Sequence, residues 1–223
     1  QGMDLSPDGD NRHVTLRNAE LYDNGTWSAN NGSNEEAITG SGTGLLFERL
    51  ILHDNGQDQF QTGYKMPVND VVFRRSWFYN QRPHPTVRGE PFNYCTHSDG
   101  IQFFGSLAHR NLTIEDSIIG PGLMQGVILG ETGRIDRVTV RNALFVGYHG
   151  GSNNAAFLIK DGLVGREGYV FDHITVVRDA GQEWWSIYAP GTGYEVRNSL
   201  FVGGREVRIG EGAKTGNICW DIS

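Results

Sequence analysis

The chain is predicted to be all-β, one domain over residues 1–223 wound as a parallel solenoid of about seven to eight coils. Three observations carry this: one short pattern recurs seven times, its copies lie too far apart to pair as hairpins, and the composition is that of strands and turns. Of 223 residues, 38% are apolar and 11% aromatic, with 31 glycines against only 7 prolines and 3 methionines. Such a chain can bury a substantial core. Its Val, Ile, Phe, Tyr and Thr fall in short runs that read as strands.

The copies are VTLRNAELY (14–22), LLFERLILH (45–53), VVFRRSWFY (71–79), LTIEDSIIG (112–120), VTVRNALFV (138–146), YVFDHITVV (169–177) and YEVRNSLFV (194–202). ICWDIS (218–223) reads as a partial eighth. Each runs apolar, any, apolar, charged, polar, and then apolar again. Successive copies begin 25 to 41 residues apart with no helical periodicity between them, so same-direction strands must be joined by coils.

Stacking the copies tests the register. The charged column reads Arg17, Glu48, Arg74, Glu115, Arg141, Asp172, Arg197, Asp221, changing sign at each step. With strands about 4.8 Å apart, each charge would meet opposite partners above and below. The next column, Asn18, Arg49, Arg75, Asp116, Asn142, His173, Asn198, is rich in residues that tolerate a left-handed bend. Both columns are expected to be structural.

A second strand follows each copy: EEAIT, DQFQT, DGIQFF, QGVIL, AAFLIK, WSIYA and EVRIG. The segments leading into it vary most in length, at 23–34, 80–98, 147–154 and 178–185. Insertions at one corner project from one side of a solenoid, which is its usual binding surface. They carry Trp27, Arg82, His84, Arg88, Tyr94, His97, Tyr148, His149, Trp184 and Trp185. Rings among Arg, His and Asn suit a polysaccharide or oligosaccharide; the plainer alternative is that the loops pack their own aromatics over the sheet.

Within HSDGIQFF (97–104), Asp99 opens its strand at the position of Asp58 one coil earlier. Glu36 precedes Asp58, and Gln125 follows Asp99. This ladder places two or three carboxylates within range of one another. Like charges that close must share a proton or bind a cation.

The repeat resembles the right-handed parallel β-helix proteins of the pectate-lyase-like superfamily, over nearly the whole chain. The resemblance implies a single-domain right-handed β-helix, found extracellularly or in the periplasm, and leaves the activity open. A polysaccharide lyase acting by β-elimination would use His97 or Lys160 as base and Arg82 or Arg88 to neutralise a uronate. Tyr94 or Tyr148 would be the acid, and Glu36, Asp58 and Asp99 would hold Ca²⁺. A glycoside hydrolase would use paired carboxylates, Asp99 matching the Asp of the N-T-D-G segment of polygalacturonase-like hydrolases. That family's paired-Asp, Gly-His-Gly and Arg-Ile-Lys segments are absent. A glycan-binding or adhesive solenoid would use the aromatic loops alone. In a purely structural reading, Asp58 and Asp99 cap turns through the backbone.

Net charge of −7 argues against nucleic acid as a partner. No stretch is long and apolar enough to span a membrane, and no signal peptide is visible. The non-Met start suits a mature or trimmed chain, and the oligomeric state is left open. Cys95 and Cys219 lack metal-ligand spacing and read as buried thiols. Three sequons begin at Asn24, Asn31 and Asn111.

Overall fold

The computed structural model describes residues 2–5, 11–24, 36–63, 66–81, 99–103, 107–123, 125–129, 134–147, 155–159, 168–178, 186–203 and 208–220. The described elements are all strands. The first are β1 (Met3–Leu5), β2 (Thr15–Tyr22), β3 (Ile38–Gly40) and β4 (Gly42–Asn55). Next come β5 (Phe60–Thr62), β6 (Val68–Arg74), β7 (Trp77–Gln81), β8 (Asp99–Phe103), β9 (Ala108–Glu115) and β10 (Ile118–Ile119). There follow β11 (Gln125–Leu129), β12 (Arg134–Arg141), β13 (Leu144–Val146), β14 (Phe157–Ile159), β15 (Tyr169–Asp172) and β16 (Thr175–Val177). The last are β17 (Ile187–Arg197), β18 (Leu200–Val202), β19 (Arg208–Thr215) and β20 (Ile218–Trp220).

Every pairing among them is parallel, and the pairings form three ladders. The first runs β1, β3, β5, β8, β11, β14, β17, β19. The second runs β2, β4, β6, β9, β12, β15, β17, β19. The third takes the ends of β2 and β4, then β7, β10, β13, β16, β18 and β20. From β3 onward the chain visits first, second and third ladder in that order on each circuit.

Alternation along each strand sends one side chain of every pair inward. The inward rows are Ile38 to Ile187 through Phe60, Phe47 to Val196 through Phe73, and Leu52 to Phe201 through Phe78, all buried. Phe73 stacks on Phe47 with centroids 4.9 Å apart and meets Phe60 and Phe78 edge-on at 4.9 and 5.8 Å. Burying each such side chain contributes roughly 1.5–3 kcal/mol, so the stacked rows dominate the stability of the chain.

The seven copies stack in the expected register: Arg17 faces Glu48, Glu48 faces Arg74, and the series continues through Glu115, Arg141 and Asp172 to Arg197. Glu48 is almost fully buried and is held by Arg17 at 2.8 Å and Arg74 at 3.0 Å. Burial pushes its carboxyl upward, but Arg74, Arg49 and Arg17 outweigh this and leave its pKa lowered. Arg197 holds Asp172 at 3.1 Å, and Arg141 bonds Glu115.

The following column bends as expected. Asn18, Arg49, Arg75, Asp116, Asn142, His173 and Asn198 all have φ between 47° and 54°. Side chains bridge these bends between coils, Asn142 donating to Asp116 at 2.7 Å and Asn198 to Asp172 at 3.1 Å. One residue later a hydroxyl takes over: Ser76 accepts the Leu50 N–H at 3.1 Å, and Ser117 accepts the Ser76 N–H at 3.2 Å. A second left-handed column, not foreseen, lies one residue ahead of each copy, at His13, Gly44, Asp70, Asn111, Arg137, Gly168 and Gly193.

Two expectations are corrected at the C-terminal end. ICW does not begin an eighth copy, because Ile218 pairs with Leu200 and Trp220 with Val202, in the third ladder. The residue that follows Arg197 in the charged column is Thr215, and Gly216 takes the bend at φ 64°. The sign alternation therefore ends at Arg197, and Asp221 lies outside the described residues. Cys219 is exposed, not buried. It continues the inward row after Phe201, on β20, which among the described strands pairs with β18 alone. Cys95 lies outside the described residues.

Candidate functional site

The acidic ladder forms where the first ladder begins each coil. Asp99 pairs directly with Gln125. The pairings Phe60 with Ile101 and Ile38 with Phe60, two residues further along, place Asp58 beside Asp99 and Glu36 beside Asp58. All four are buried: Asp99 and Asp58 at 0 and 1% exposure, Gln125 and Glu36 at 4 and 6%.

Main-chain bonds hold the row, Ala37 N–H donating to Asp58 O at 3.0 Å and Gln59 N–H to Asp99 O at 2.9 Å. Asp58 caps the start of β8, its Oδ1 accepting the Asp99 N–H at 2.8 Å. Its other oxygen accepts from Gln61 Nε2 at 3.2 Å, and the same amide donates to Gln102 Oε1 at 2.6 Å. Gln61 and Gln102 alternate with the inward rows, so the outward face of the first ladder is polar here. Further along the same face it becomes apolar, at Ile128, Leu158 and Tyr188. Both faces of β8 and β11 are buried.

Burial is the main force raising the Asp58 pKa well above the usual carboxylate range. The charge of Asp99 adds to it and that of Glu36 contributes less, while the bonds from the Asp99 N–H and Gln61 oppose the shift. Burial and the neighbouring carboxylates together push Asp58 toward its neutral form, which eases the like-charge conflict in the row. Among the described residues no group of three His, Cys, Asp or Glu side chains is placed to hold a metal ion.

Beside the row, Asn24 donates to Asn55 Oδ1 at 2.7 Å, Asn55 to Gln59 Oε1 at 2.5 Å, and Gln59 to Asn80 O at 3.1 Å. This buried amide chain ties the corner between third and first ladders across three coils. It engages the Asn24 side chain, so that sequon serves packing.

Of the residues singled out from sequence, Glu36, Asp58 and Asp99 come together. His97, Lys160, Arg82, Tyr94, Trp27, Arg88, His84, Tyr148, His149, Trp184 and Trp185 lie outside the described residues.

A second cluster was missed. On the outward face of the third ladder, His53 lies between Tyr22 and Tyr79, with centroids 5.2 and 4.8 Å away and rings within 9° of parallel. Its Nδ1 is 2.6 Å from Asp54 and its Nε2 3.1 Å from Glu20. Burial lowers the His53 pKa, but the two carboxylates outweigh this and raise it. The signal was available, since these rings are the last residues of the first three copies. No helix among the described residues is long and apolar enough to cross a membrane. No family model, curated protein or solved structure matches the chain.

Proposed function

We propose that the chain is a single right-handed parallel β-helix of about seven to eight coils, of the pectate-lyase-like kind. It acts outside the cell as a polysaccharide lyase on a uronic-acid-containing polymer. The observation that carries this reading is the buried Asp58–Asp99 pair, where burial and the neighbouring carboxylate push Asp58 toward its protonated form. A neutral acid beside an ionised one is a proton source for a departing glycosidic oxygen and lowers the negative charge an anionic polymer would meet. The segment that leads into Asp99 adds Arg82, His84, Arg88 and His97 over residues 82–97, a cationic run suited to a uronate. In this reading His97 or Lys160 removes the proton alpha to the carboxylate, and Arg82 or Arg88 neutralises that carboxylate.

The same pair favours a second reading, hydrolysis with Asp58 as acid and Asp99 as its ionised partner. The two differ in product. Elimination creates a double bond that absorbs in the ultraviolet along with each reducing end, and hydrolysis gives reducing ends alone. The test is incubation with uronic-acid and neutral polysaccharides, reading both signals for the wild type, Asp58→Asn and Asp99→Asn. Loss of about 10²-fold or more in either variant is expected. Wild-type turnover in both would remove the pair from the chemistry, and silence of the wild type on every polymer would leave a binding or structural solenoid.

A further inference from the structure

The outward face of the third ladder presents Tyr22, Ile51, Trp77, Ile118, Ile218 and Trp220, all exposed, with Tyr22 at 56%, Trp77 at 40% and Trp220 at 67%. They lie in two rows. Ile51 pairs with Trp77 and Trp77 with Ile118 in one, which ends at Ile218; Tyr22 starts the other and Trp220 ends it. Between them Leu144, Val146, Val177, Leu200 and Val202 are half-buried, and the same rows carry Glu20, His53, Tyr79 and Thr175. Taking roughly 200 Å² for each of six large side chains at about half exposure, these alone offer on the order of 600 Å². A stable protein interface takes about 800 Å² from each partner, which the half-buried aliphatics and Tyr79 bring within reach.

On β4 the two borders of the face carry opposite charge, while the bend border as a whole is mixed, with Arg75 next to Asp116. Arg49, its side chain 47% exposed, stands at the bend that opens the third ladder on β4, and Asp54, 40% exposed, stands at the other end of the same stretch. We propose that this face is the interface of a homodimer whose two-fold axis runs along the stack of coils. That axis sets each coil against its own copy and exchanges the borders, so Arg49 faces the partner's Asp54. A two-fold axis across the stack would instead set Arg49 borders side by side. Aliphatic side chains dominate the middle of the face and offer no hydrogen bonds to sugar hydroxyls, which favours a protein occupant. Two such faces pack as aligned sheets about 10 Å apart.

The mass in solution is to be measured by light scattering from about 1 to 100 μM, a range that covers the weak end for interfaces of this size. A dimer is expected for the wild type and for Thr139→Lys, which charges the outward face of the second ladder. A monomer is expected for Trp77→Lys and for Ile118→Lys, with circular dichroism of each variant checked for retained strand signal. In Ile51→Cys, a link between the two copies of residue 51 through a bis-maleimide reagent spanning about 10 Å, mapped by mass spectrometry, is expected from the axis along the stack. A wild-type monomer at every concentration overturns the proposal, as does a dimer that survives both lysine variants. A dimer in which residue 51 never links to its own copy overturns the axis. If the wild type is monomeric and its retention of a polysaccharide is lost in Trp77→Lys, the face belongs to that ligand.

Discussion

Asp58 is the residue at which charge, burial and register meet. Its raised pKa means that, from about pH 4 up to its folded value, the native chain holds a proton that the unfolded chain has released. Native proteins that bind more protons than their unfolded chains lose stability as pH rises, so this group weakens the fold progressively across that window. Asp58→Asn removes the titration and keeps an oxygen for the Asp99 N–H. The melting temperature of this variant minus that of the wild type should therefore grow as pH rises above about 4 and level off at the folded value of Asp58; a difference constant with pH would mean that the fold does not raise the Asp58 pKa. The ladder position of Asp58 was legible from sequence, because a period of coils fixes who lies beside whom. Its capping bond to Asp99 was also among the readings. The upward push on its pKa was not, since that depends on how completely the row is covered.

At the scale of a single element, the bends decide how the coils stack. Seven residues of four types that differ in charge and size, from Asn18 to Asn198, share one left-handed φ, and Asn142 and Asn198 reach the next coil with their side chains. Asn142→Val should cost about 1–2 kcal/mol from left-handed strain in a β-branched residue, plus the bond to Asp116. Asn142→Gly should cost less, and the midpoints of urea unfolding will rank the two. Equal midpoints would show that the bend relaxes. This column could be read because its members are mostly Asn or Asp. The second left-handed column carried a similar mark, since Gly44, Asp70, Asn111, Gly168 and Gly193 are residues that favour such a bend, but it stands one residue before each copy begins and so fell outside the repeat. ICW imitated the start of a copy because apolar, any, apolar describes both strands of the repeat. Only pairing with Leu200–Val202 tells them apart.

Across the whole molecule, stability rests on inward rows that run from coil to coil. Phe73 touches aromatic rings from all three ladders, so Phe73→Ala should destabilise by about 3–5 kcal/mol. Because each coil contacts its neighbours, the loss should spread to the coils on either side. Hydrogen exchange should rise first in β4, β6 and β9, and a change confined to β6 would mean that the coils unfold independently. The architecture was legible because it repeats. The candidate chemistry was legible only in part, since Asp58, Asp99 and Glu36 follow from register while an aromatic and cationic loop set follows from composition alone. The His53 cluster joins Glu20 to a histidine 33 residues away, a distance that becomes a contact only when copies are laid side by side.

The alternating charges from Arg17 to Arg197 also give the stack a parity. Removing one coil from the interior, the one that contributes Glu48 for example, would bring Arg17 against Arg74, two like charges where a buried carboxylate had stood between them. Removing two adjacent coils would restore opposite neighbours. Chains descended from a common ancestor with this one should therefore gain or lose coils in pairs, or change the sign of one charge whenever a single coil is inserted or deleted.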